Sequence, residues 1–208
     1  MPNADEIGFR PLAAADLPLL RRWLATDFVR EWYDDGPPDE AIAREYLPKI
    51  RGEDPTRPFL ILLGERPIGY IQTYRIADSP DYASAVRVDA DAAGVDLFIG
   101  EADCIHRGLG APILRRFLCD IVFAAADVGS CVIGPAAGNA IAIRAYEKAG
   151  FRYLKTVRVP GEPEPEYLMR IARADVVATE PAARELTAPR PAIGERAGNR
   201  RSSHAAPP

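Results

Sequence analysis

Two glycines stand one residue apart immediately before an apolar segment with helical spacing. The run is His106-Arg107-Gly108-Leu109-Gly110-Ala111, and Pro112 follows it. Glycine allows a tight turn and a close approach of the backbone to a ligand, and proline suits the first turn of a helix. Free N–H groups and the positive end of the helix dipole then form an anion site. The turn predicts phosphate binding; the alternative is a helix that begins with flexible residues.

Two further residues could take part in chemistry, one on each side of this turn. Asp96 lies in an apolar, strand-like run at residues 95–99, and alone it is typical of a solvated carboxylate. Tyr146 lies almost two turns into a helix-like segment, which Asn139 can cap and Gly150 can end. Alone, Tyr146 is typical of a core aromatic.

Strands and helices alternate among the elements that must position these residues. Apolar runs on either side of Gly64-Glu65-Arg66-Pro67 predict a hairpin, and Asp16 can cap the first helix. The expected elements are strand 7–10, helices 17–24 and 41–50, strands 59–63 and 68–76, a polar loop 77–94, strand 95–99, helix 112–125, strand 131–133, helix 139–149, and strands 151–159 and 167–171. This order predicts an α/β fold with a mixed sheet.

Length and charge limit the classes of protein to consider. The 208 residues carry a formal net charge of −4. We expect one domain over residues 1–174, followed by a disordered tail rich in Ala, Pro and Arg over residues 175–208. The mild acidity argues against nucleic acid as a partner and leaves room for a small cationic substrate.

Cysteine and histidine usage indicates the compartment and the absence of metal chemistry. Three cysteines without a CxxC motif are typical of reduced thiols in a cytosolic protein. The polar N-terminus does not resemble a signal peptide, and no apolar run reaches membrane-spanning length. His106 and His204 lack the spacing of a catalytic triad or a metal site. We expect a cytoplasmic protein with no metal and no membrane partner.

Three segments in order, VDLFIG at 95–100, RGLGA at 107–111 and NAIAIRAYEKAGF at 139–151, resemble the GCN5-related N-acetyltransferase (GNAT) superfamily. The resemblance covers about residues 7–172. It implies a mixed sheet whose two central parallel strands splay apart to admit the pantetheine arm of acetyl-CoA. One departure is Ile105, where the superfamily usually has Gln or Arg. The implied cofactor-binding residues are Leu97, Phe98, Ile99, His106, Arg107, Gly108, Leu109, Gly110, Ala111, Asn139 and Tyr146.

The N-terminal half is similar to aminoglycoside 6'-N-acetyltransferases, through RWL at 22–24, VREWY at 29–33, EYLP at 45–48 and PIGYIQTY at 67–74. This narrower resemblance implies acetyl transfer to the 6'-amine of an aminoglycoside antibiotic, by direct attack in a ternary complex. Asp96 would help to deprotonate the amine, and Tyr146 would return a proton to the thiolate. Backbone N–H groups beside Leu97 and Phe98 would hold the oxyanion.

A polycationic acceptor requires fixed negative charge. Five aspartates (78, 81, 89, 91 and 96) lie within twenty residues or so of one another, where a plain solvated loop could also have them. The family's acidic, aromatic substrate loop implies that they bind the acceptor. A family acid is replaced here by Gly134, for which Glu162 or Glu164 could substitute. The expected substrate-binding residues are Trp32, Gln72, Asp81, Tyr82, Asp89 and Asp96.

Two other functions remain open from the sequence. A GNAT enzyme that acetylates a siderophore hydroxylamine or a lysine-like amine would share much of the N-terminal half. A non-catalytic acyl-CoA-binding protein would retain the phosphate turn alone, although Asp96 and Tyr146 argue against it. A monomer and a homodimer are both compatible with the sequence.

Overall fold

The computed structural model of the chain describes residues 6–33 and 40–177. Of the tail expected at residues 175–208, all but Asp175, Val176 and Val177 lie outside the described part, so its disorder stays a prediction. Those three residues belong to a short helix, Arg173–Val177, and Val176 packs into the main core. The described part of the chain therefore ends three residues past the expected boundary at residue 174.

A single seven-stranded mixed sheet forms the centre of the molecule, in the order β1-β2-β3-β4-β5-β7-β6. β4 and β5 run parallel, and every other neighbouring pair is antiparallel. This confirms the expected α/β fold with a mixed sheet. The strands are β1 Ile7–Pro11, β2 Arg57–Leu63, β3 Arg66–Arg75, β4 Ala92–Ile99, β5 Ser130–Ile133, β6 Arg152–Val157 and β7 Glu166–Ala172.

Seven α-helices are described on the two faces of the sheet. They are α1 Leu17–Leu24, α2 Asp27–Arg30, α3 Glu40–Arg51, α4 Pro80–Val86, α5 Gly110–Phe117, α6 Ala140–Ala149 and α7 Arg173–Val177. Of these residues, none forms a helix long and apolar enough to cross a bilayer. The three cysteines are free thiols, and two of them are buried.

Three local expectations differ from the structure. The polar stretch at residues 77–94 is not simply a loop, because Pro80 starts α4 there. Asp16 does not cap α1 with its side chain; its carboxylate binds the Arg10 guanidinium and the Ala13 N–H instead. α5 ends at Phe117 and continues as a π-helical turn, Leu118–Val122, rather than as an α-helix to residue 125.

Alternate residues of the central strands pack on opposite faces of the sheet. On one face, Ile61, Ile71 and Val95 belong to the same buried cluster as Phe117 of α5. On the other face, Leu60, Tyr70 and Phe98 pack against the N-terminal helices. Both faces of the sheet are buried, and this burial fixes the side on which each side chain of β3 and β4 lies.

The end of β4 is anchored to α1 through Trp23. The indole is fully buried, its N–H donates to Glu101 Oε1 at 2.8 Å, and its ring lies against Gly100. A Cβ at Gly100 would lie 2.2 Å from the ring. This position therefore requires glycine for space, and the contact sets where the chain leaves β4.

We expect Gly100→Ala to lower the free energy of unfolding by about 1–3 kcal/mol, the usual cost of overpacking a tight core. Gly8→Ala in β1 is the matched control, since its Cβ would make an ordinary 3.9 Å contact with Leu62 Cβ. That change should stay within about 1 kcal/mol of the wild type. Urea unfolding measures both; equal stability of the two variants would contradict the close contact with Trp23.

Candidate active site

A gap opens in the sheet where β4 and β5 separate. Their parallel pairing joins Ala92 to Ser130 and ends with Gly94 opposite Val132, whereas β4 stays paired to β3 as far as Ile99. The expected splay of two central parallel strands is therefore present. It exposes one side of β4 over the residues that follow Gly94.

The backbone groups on that side follow from the alternation along β4. The Gly100 N–H donates to Ile68 O on β3 at 2.8 Å. Successive N–H groups of a strand point to opposite sides, so those of Leu97 and Ile99 are directed into the gap. The Phe98 N–H points the other way, and the Phe98 ring is buried against Tyr70. Of the three residues of β4 that are expected to bind the cofactor, Phe98 instead has its side chain packed in the core.

The turn before α5 has the backbone of an anion site. His106 has φ 57° and Gly108 has φ 75°, both in the left-handed region. A non-glycine residue held there costs on the order of 1 kcal/mol, which marks the turn as constrained. His106, Arg107 and Gly108 are exposed, whereas Leu109 and Ala111 are buried anchors. Alternating turn conformations of this kind direct several N–H groups into one concavity.

α5 and α6 lie in close contact beside this turn. A Cβ on Gly110, the first residue of α5, would approach Ala145 Cβ on α6 to 3.2 Å. The Asn139 side chain accepts from the Ala142 N–H at 3.0 Å, so the expected N-cap is confirmed. Gly150 ends the helix with φ 109°, also as expected. The turn and the helix that carries Tyr146 are thus held together.

Tyr146 lies half-buried on α6, packed near Phe151. Burial raises the pKa of its phenol well above the ordinary value, and the negative charge of Asp96 raises it further. The structure therefore brings the two residues expected to be catalytic into one electrostatic environment. The phenol holds its proton at neutral pH.

Asp96 is oriented by a chain of hydrogen bonds on β3. Gln72 Nε2 donates to Asp96 Oδ2 at 2.7 Å, and Tyr70 OH donates to Gln72 Oε1 at 2.6 Å. Lys49 Nζ lies 3.4 Å from the same Gln72 oxygen. Because these donors occupy the amide oxygen, the Gln72 NH₂ group faces Asp96. Gln72 is a buried positioning residue for the carboxylate.

A second carboxylate, which the sequence analysis did not single out, lies close by. Glu166 begins β7, and Tyr82 OH donates to its Oε2 at 2.9 Å. Burial raises the pKa of Glu166 to about 7; Asp96 and Glu162 add to the rise, and the Tyr82 hydrogen bond opposes it. A Cβ on Gly134 would lie 2.1 Å from Glu166 Oε2. Glu166, rather than the expected Glu162 or Glu164, therefore fills the place beside Gly134.

The remaining residues expected to bind substrate are more dispersed. Trp32 is 43% exposed and lies beside Gly138, as does the Glu164 carboxylate. Asp81 is exposed in the first turn of α4. Asp89 forms an ion pair with Arg170, Oδ2 to Nη2 at 2.6 Å.

The five aspartates thus do not meet at one point. Asp91 packs against Gly129, and only Asp96 joins the cluster with Tyr82 and Glu166. Within residues 6–33 and 40–177, no group of three or more His, Cys, Asp or Glu side chains is arranged to hold a metal ion.

Comparison with known proteins identifies the family of this chain. A family model described as an acetyltransferase (GNAT) domain matches residues 13–159. The chain belongs to the GNAT acetyltransferase family. Two relatives, aminoglycoside N(6')-acetyltransferases type 1 of Klebsiella pneumoniae and Serratia marcescens, are each 31% identical over 162 residues, which is 76% of this chain and 80% of theirs.

Solved structures of one GNAT enzyme are similar throughout the fold. AAC(6')-Ib in complex with paromomycin and acetyl-CoA has a TM-score of 0.75 at 30% identity, over 85% of this chain and 98% of that one. The same enzyme with coenzyme A and kanamycin has a TM-score of 0.73 at 29% identity, over 83% and 98%. The GNAT fold expected from the sequence is confirmed.

The raised pKa of Glu166 has a consequence for stability. Between its ordinary pKa of 4.5 and about 7, the native state holds a proton that the unfolded state releases. Stability from this group is therefore complete below pH 4.5 and is lost as the pH rises toward 7. Over this pH range, we expect the free energy of unfolding to fall by about 1–2 kcal/mol less in Glu166→Gln than in the wild type. This is smaller than the free energy that corresponds to the full pKa difference, because the carboxyl is only partly buried.

Urea unfolding of the wild type and of Glu166→Gln between pH 4 and 8 measures the effect. Glu65→Gln, in the exposed turn between β2 and β3, is the matched control and should run parallel to the wild type. A wild type and a Glu166→Gln variant whose stabilities differ by the same amount at every pH would show that the pKa of Glu166 is not raised.

Proposed function

We propose that the chain transfers the acetyl group of acetyl-CoA to the 6'-amine of an aminoglycoside, by direct attack in a ternary complex. The observation that carries this proposal is the placement of Asp96 and Glu166 at the gap between β4 and β5, with Tyr146 nearby. The gap suits a thioester, and the carboxylates suit a cationic amine. Relatives with the same fold are named for this reaction.

The cofactor proposal rests on how well the described residues fit an acyl-CoA. The exposed turn at His106, Arg107 and Gly108 offers N–H groups to a pyrophosphate. The gap alongside Leu97 and Ile99 can accept an extended pantetheine arm by strand-like pairing. Bound in this way, acetyl-CoA supplies a thioester carbon that an amine can attack. Asn139 lies at the start of α6, where it can form part of the surface that binds acyl-CoA.

Three groups of the chain can serve the transfer. Asp96, oriented by Gln72, accepts a proton from the acceptor ammonium, directly or through water. The Leu97 N–H, directed into the gap, donates to the oxyanion that develops on the carbonyl. As the new N–C bond forms and the C–S bond breaks, the Tyr146 phenol gives its proton to the leaving thiolate, and the second proton lost by the attacking nitrogen returns to the phenolate, directly or through water, so that the charge balances.

The acceptor site is proposed for a small polycation. Carboxylates at Asp96 and Glu166 provide charge, and the exposed Trp32 ring can cover an apolar or cationic part of the acceptor. Asp81 and Tyr82 on α4 extend the same mouth, whereas Asp89 is paired with Arg170 and is assigned no charge contact with the acceptor. An apolar channel for a single amine would not require these charges.

We further infer a cytoplasmic enzyme that confers resistance to aminoglycoside antibiotics and works as a monomer or a homodimer. Acetyl-CoA is available in that compartment. Neither a nucleic acid nor a membrane is proposed as a partner.

A thiol-release assay with acetyl-CoA tests the function directly. We expect turnover with kanamycin-type compounds that carry a 6'-amine, and little with lysine, polyamines or hydroxylamines. A preference for one of those other amines would contradict the aminoglycoside assignment while leaving acetyl transfer intact. Binding of acetyl-CoA, measured by calorimetry, without turnover on any amine would indicate a non-catalytic acyl-CoA-binding protein.

Substitution of the two catalytic candidates tests their roles. We expect Asp96→Asn to lower kcat by about 10²-fold or more, the usual contribution of a positioned acid or base, and Tyr146→Phe to lower kcat by about tenfold or more. The KM for acetyl-CoA should change little in either case. Normal turnover in both variants would refute this mechanism.

The phosphate turn is tested by a matched pair of glycines. Gly108 and Gly64 both have positive φ, and a Cβ at either would meet nothing within 4 Å. Gly108→Ala and Gly64→Ala should therefore lose similar stability, roughly 1 kcal/mol. Only Gly108→Ala should raise the Kd for coenzyme A, by about tenfold, because it disturbs the N–H groups of the turn. Equal Kd values in calorimetry would exclude the turn as the phosphate site.

A further inference from the structure

Glu166 occupies space that belongs to another position in the fold. Gly134 follows β5 at the edge of the gap, and the Glu166 carboxylate lies where a side chain on Gly134 would begin, 2.1 Å from the Cβ position. Gly134 is not among the glycines with positive φ, so its backbone would accept other residues. It is the carboxylate from β7, rather than the backbone, that leaves no room for a side chain there.

We propose that Glu166 is a substrate-binding residue of the acceptor site: its carboxylate, delivered from β7 into the space beside Gly134, binds a cationic group of the acceptor next to Asp96. This inference rests on the proposed acetyl transfer to a polycationic amine. It concerns which residue of this chain holds that amine.

The position of Glu166 is fixed by backbone contacts on both sides. The Tyr167 N–H donates to Pro135 O at 2.8 Å, and the Ala137 N–H donates to Pro165 O at 3.0 Å. Glu166 itself forms an isolated bridge with Ala136. These contacts tie the start of β7 to the segment after β5. The side chain is consequently held over Gly134 rather than on a free loop.

In the part of the chain that the structure describes, the groups that act on the pKa of Glu166 include no cation. Four acidic or phenolic side chains interact electrostatically with the Glu166 carboxylate, which changes its pKa or theirs. They are Tyr82 from α4, Asp96 from β4, Tyr74 from β3 and Glu162 from the segment before β7. Among the described residues, no salt bridge includes Glu166. A partly desolvated carboxylate beside other acids is stabilised when a ligand brings a cation.

The hydrogen bond from Tyr82 gives the carboxylate its direction. Tyr82 OH donates to Oε2 at 2.9 Å, which leaves Oε1 and the remaining lone pairs for a ligand. Since only the ionised form attracts an ammonium group strongly, acceptor binding should weaken as the pH falls below about 7, where Glu166 takes up a proton. A bound ammonium favours the ionised form and so lowers this pKa.

Steady-state kinetics of Glu166→Gln with kanamycin and acetyl-CoA tests the role. We expect the KM for kanamycin to rise about tenfold or more, with kcat and the KM for acetyl-CoA within about threefold of the wild type. Glu65→Gln, on the exposed turn between β2 and β3, is the control and should match the wild type. The difference in kcat/KM between wild type and Glu166→Gln should shrink below pH 7, because the wild type then becomes protonated itself.

A relocated carboxylate separates a binding role from a structural one. Gly134→Asp alone should impair the enzyme, since its Cβ would clash with Glu166 Oε2. In the double variant Gly134→Asp/Glu166→Ala, the nearest remaining Glu166 atom is Cβ, 3.4 Å away. We expect this double variant to recover a KM for kanamycin within about threefold of the wild type, whereas Glu166→Ala alone does not.

Tyr82→Phe provides a second measurement with Glu166 in place. Loss of the hydrogen bond removes an influence that lowers the pKa of Glu166, so the acid limb of the kcat/KM profile for kanamycin should move to higher pH. A Glu166→Gln variant with an unchanged KM for kanamycin and an unchanged pH profile would refute the role of Glu166 alone. A wild type that acetylates no aminoglycoside would refute the proposed function, and the role of Glu166 with it.

Discussion

The early end of the pairing between β4 and β5 is the constraint on which the rest of the site depends. β5 is only four residues long and is followed by Gly134 and Pro135, and proline has no N–H to offer a ladder. Beyond that point the chain pairs toward β7 instead, while β4 continues on its β3 side alone. A gap in the middle of a sheet would normally be a defect. Here it presents strand backbone to whatever enters between the two strands.

Two buried faces of the sheet determine which side chains surround the gap. The packing of Tyr70 and Phe98 against the N-terminal helices puts Gln72 and Asp96 on that same face. Gln72 and Tyr82, which orient Asp96 and Glu166, are neutral donors. Neutral donors fix the direction of a carboxylate without cancelling its charge, so the negative charge of these two side chains is retained. The packing of the surrounding core thus places polar side chains at the gap.

The ends of α6 and the turn before α5 could be predicted from the sequence, because each is determined by residues close together in the chain. The cap at Asn139, the terminator at Gly150 and the glycine turn before α5 each depend on a few neighbouring residues, and each is in place. α4 was missed because its short apolar face lies within a run of polar residues, and tertiary packing of Val86 selects the helix. The expected aspartate cluster failed for the opposite reason. Nearness along the chain did not bring Asp89 or Asp91 to the gap, since each found a partner elsewhere.

Glu166, for which we propose a role in acceptor binding, shows why such a residue can escape a comparison made position by position. β5 and β7 are adjacent antiparallel strands, with Ile133 opposite Met169, and adjacent strands lie about 4.8 Å apart. A glutamate side chain spans that distance, so a carboxylate at one point of the gap can come from either strand. Glutamate at position 166 then requires glycine at position 134, because a side chain there and the Glu166 carboxylate would occupy the same space. The two positions form one spatial unit, and the loss of an acid at Gly134 carries no information about charge until Glu166 is considered with it.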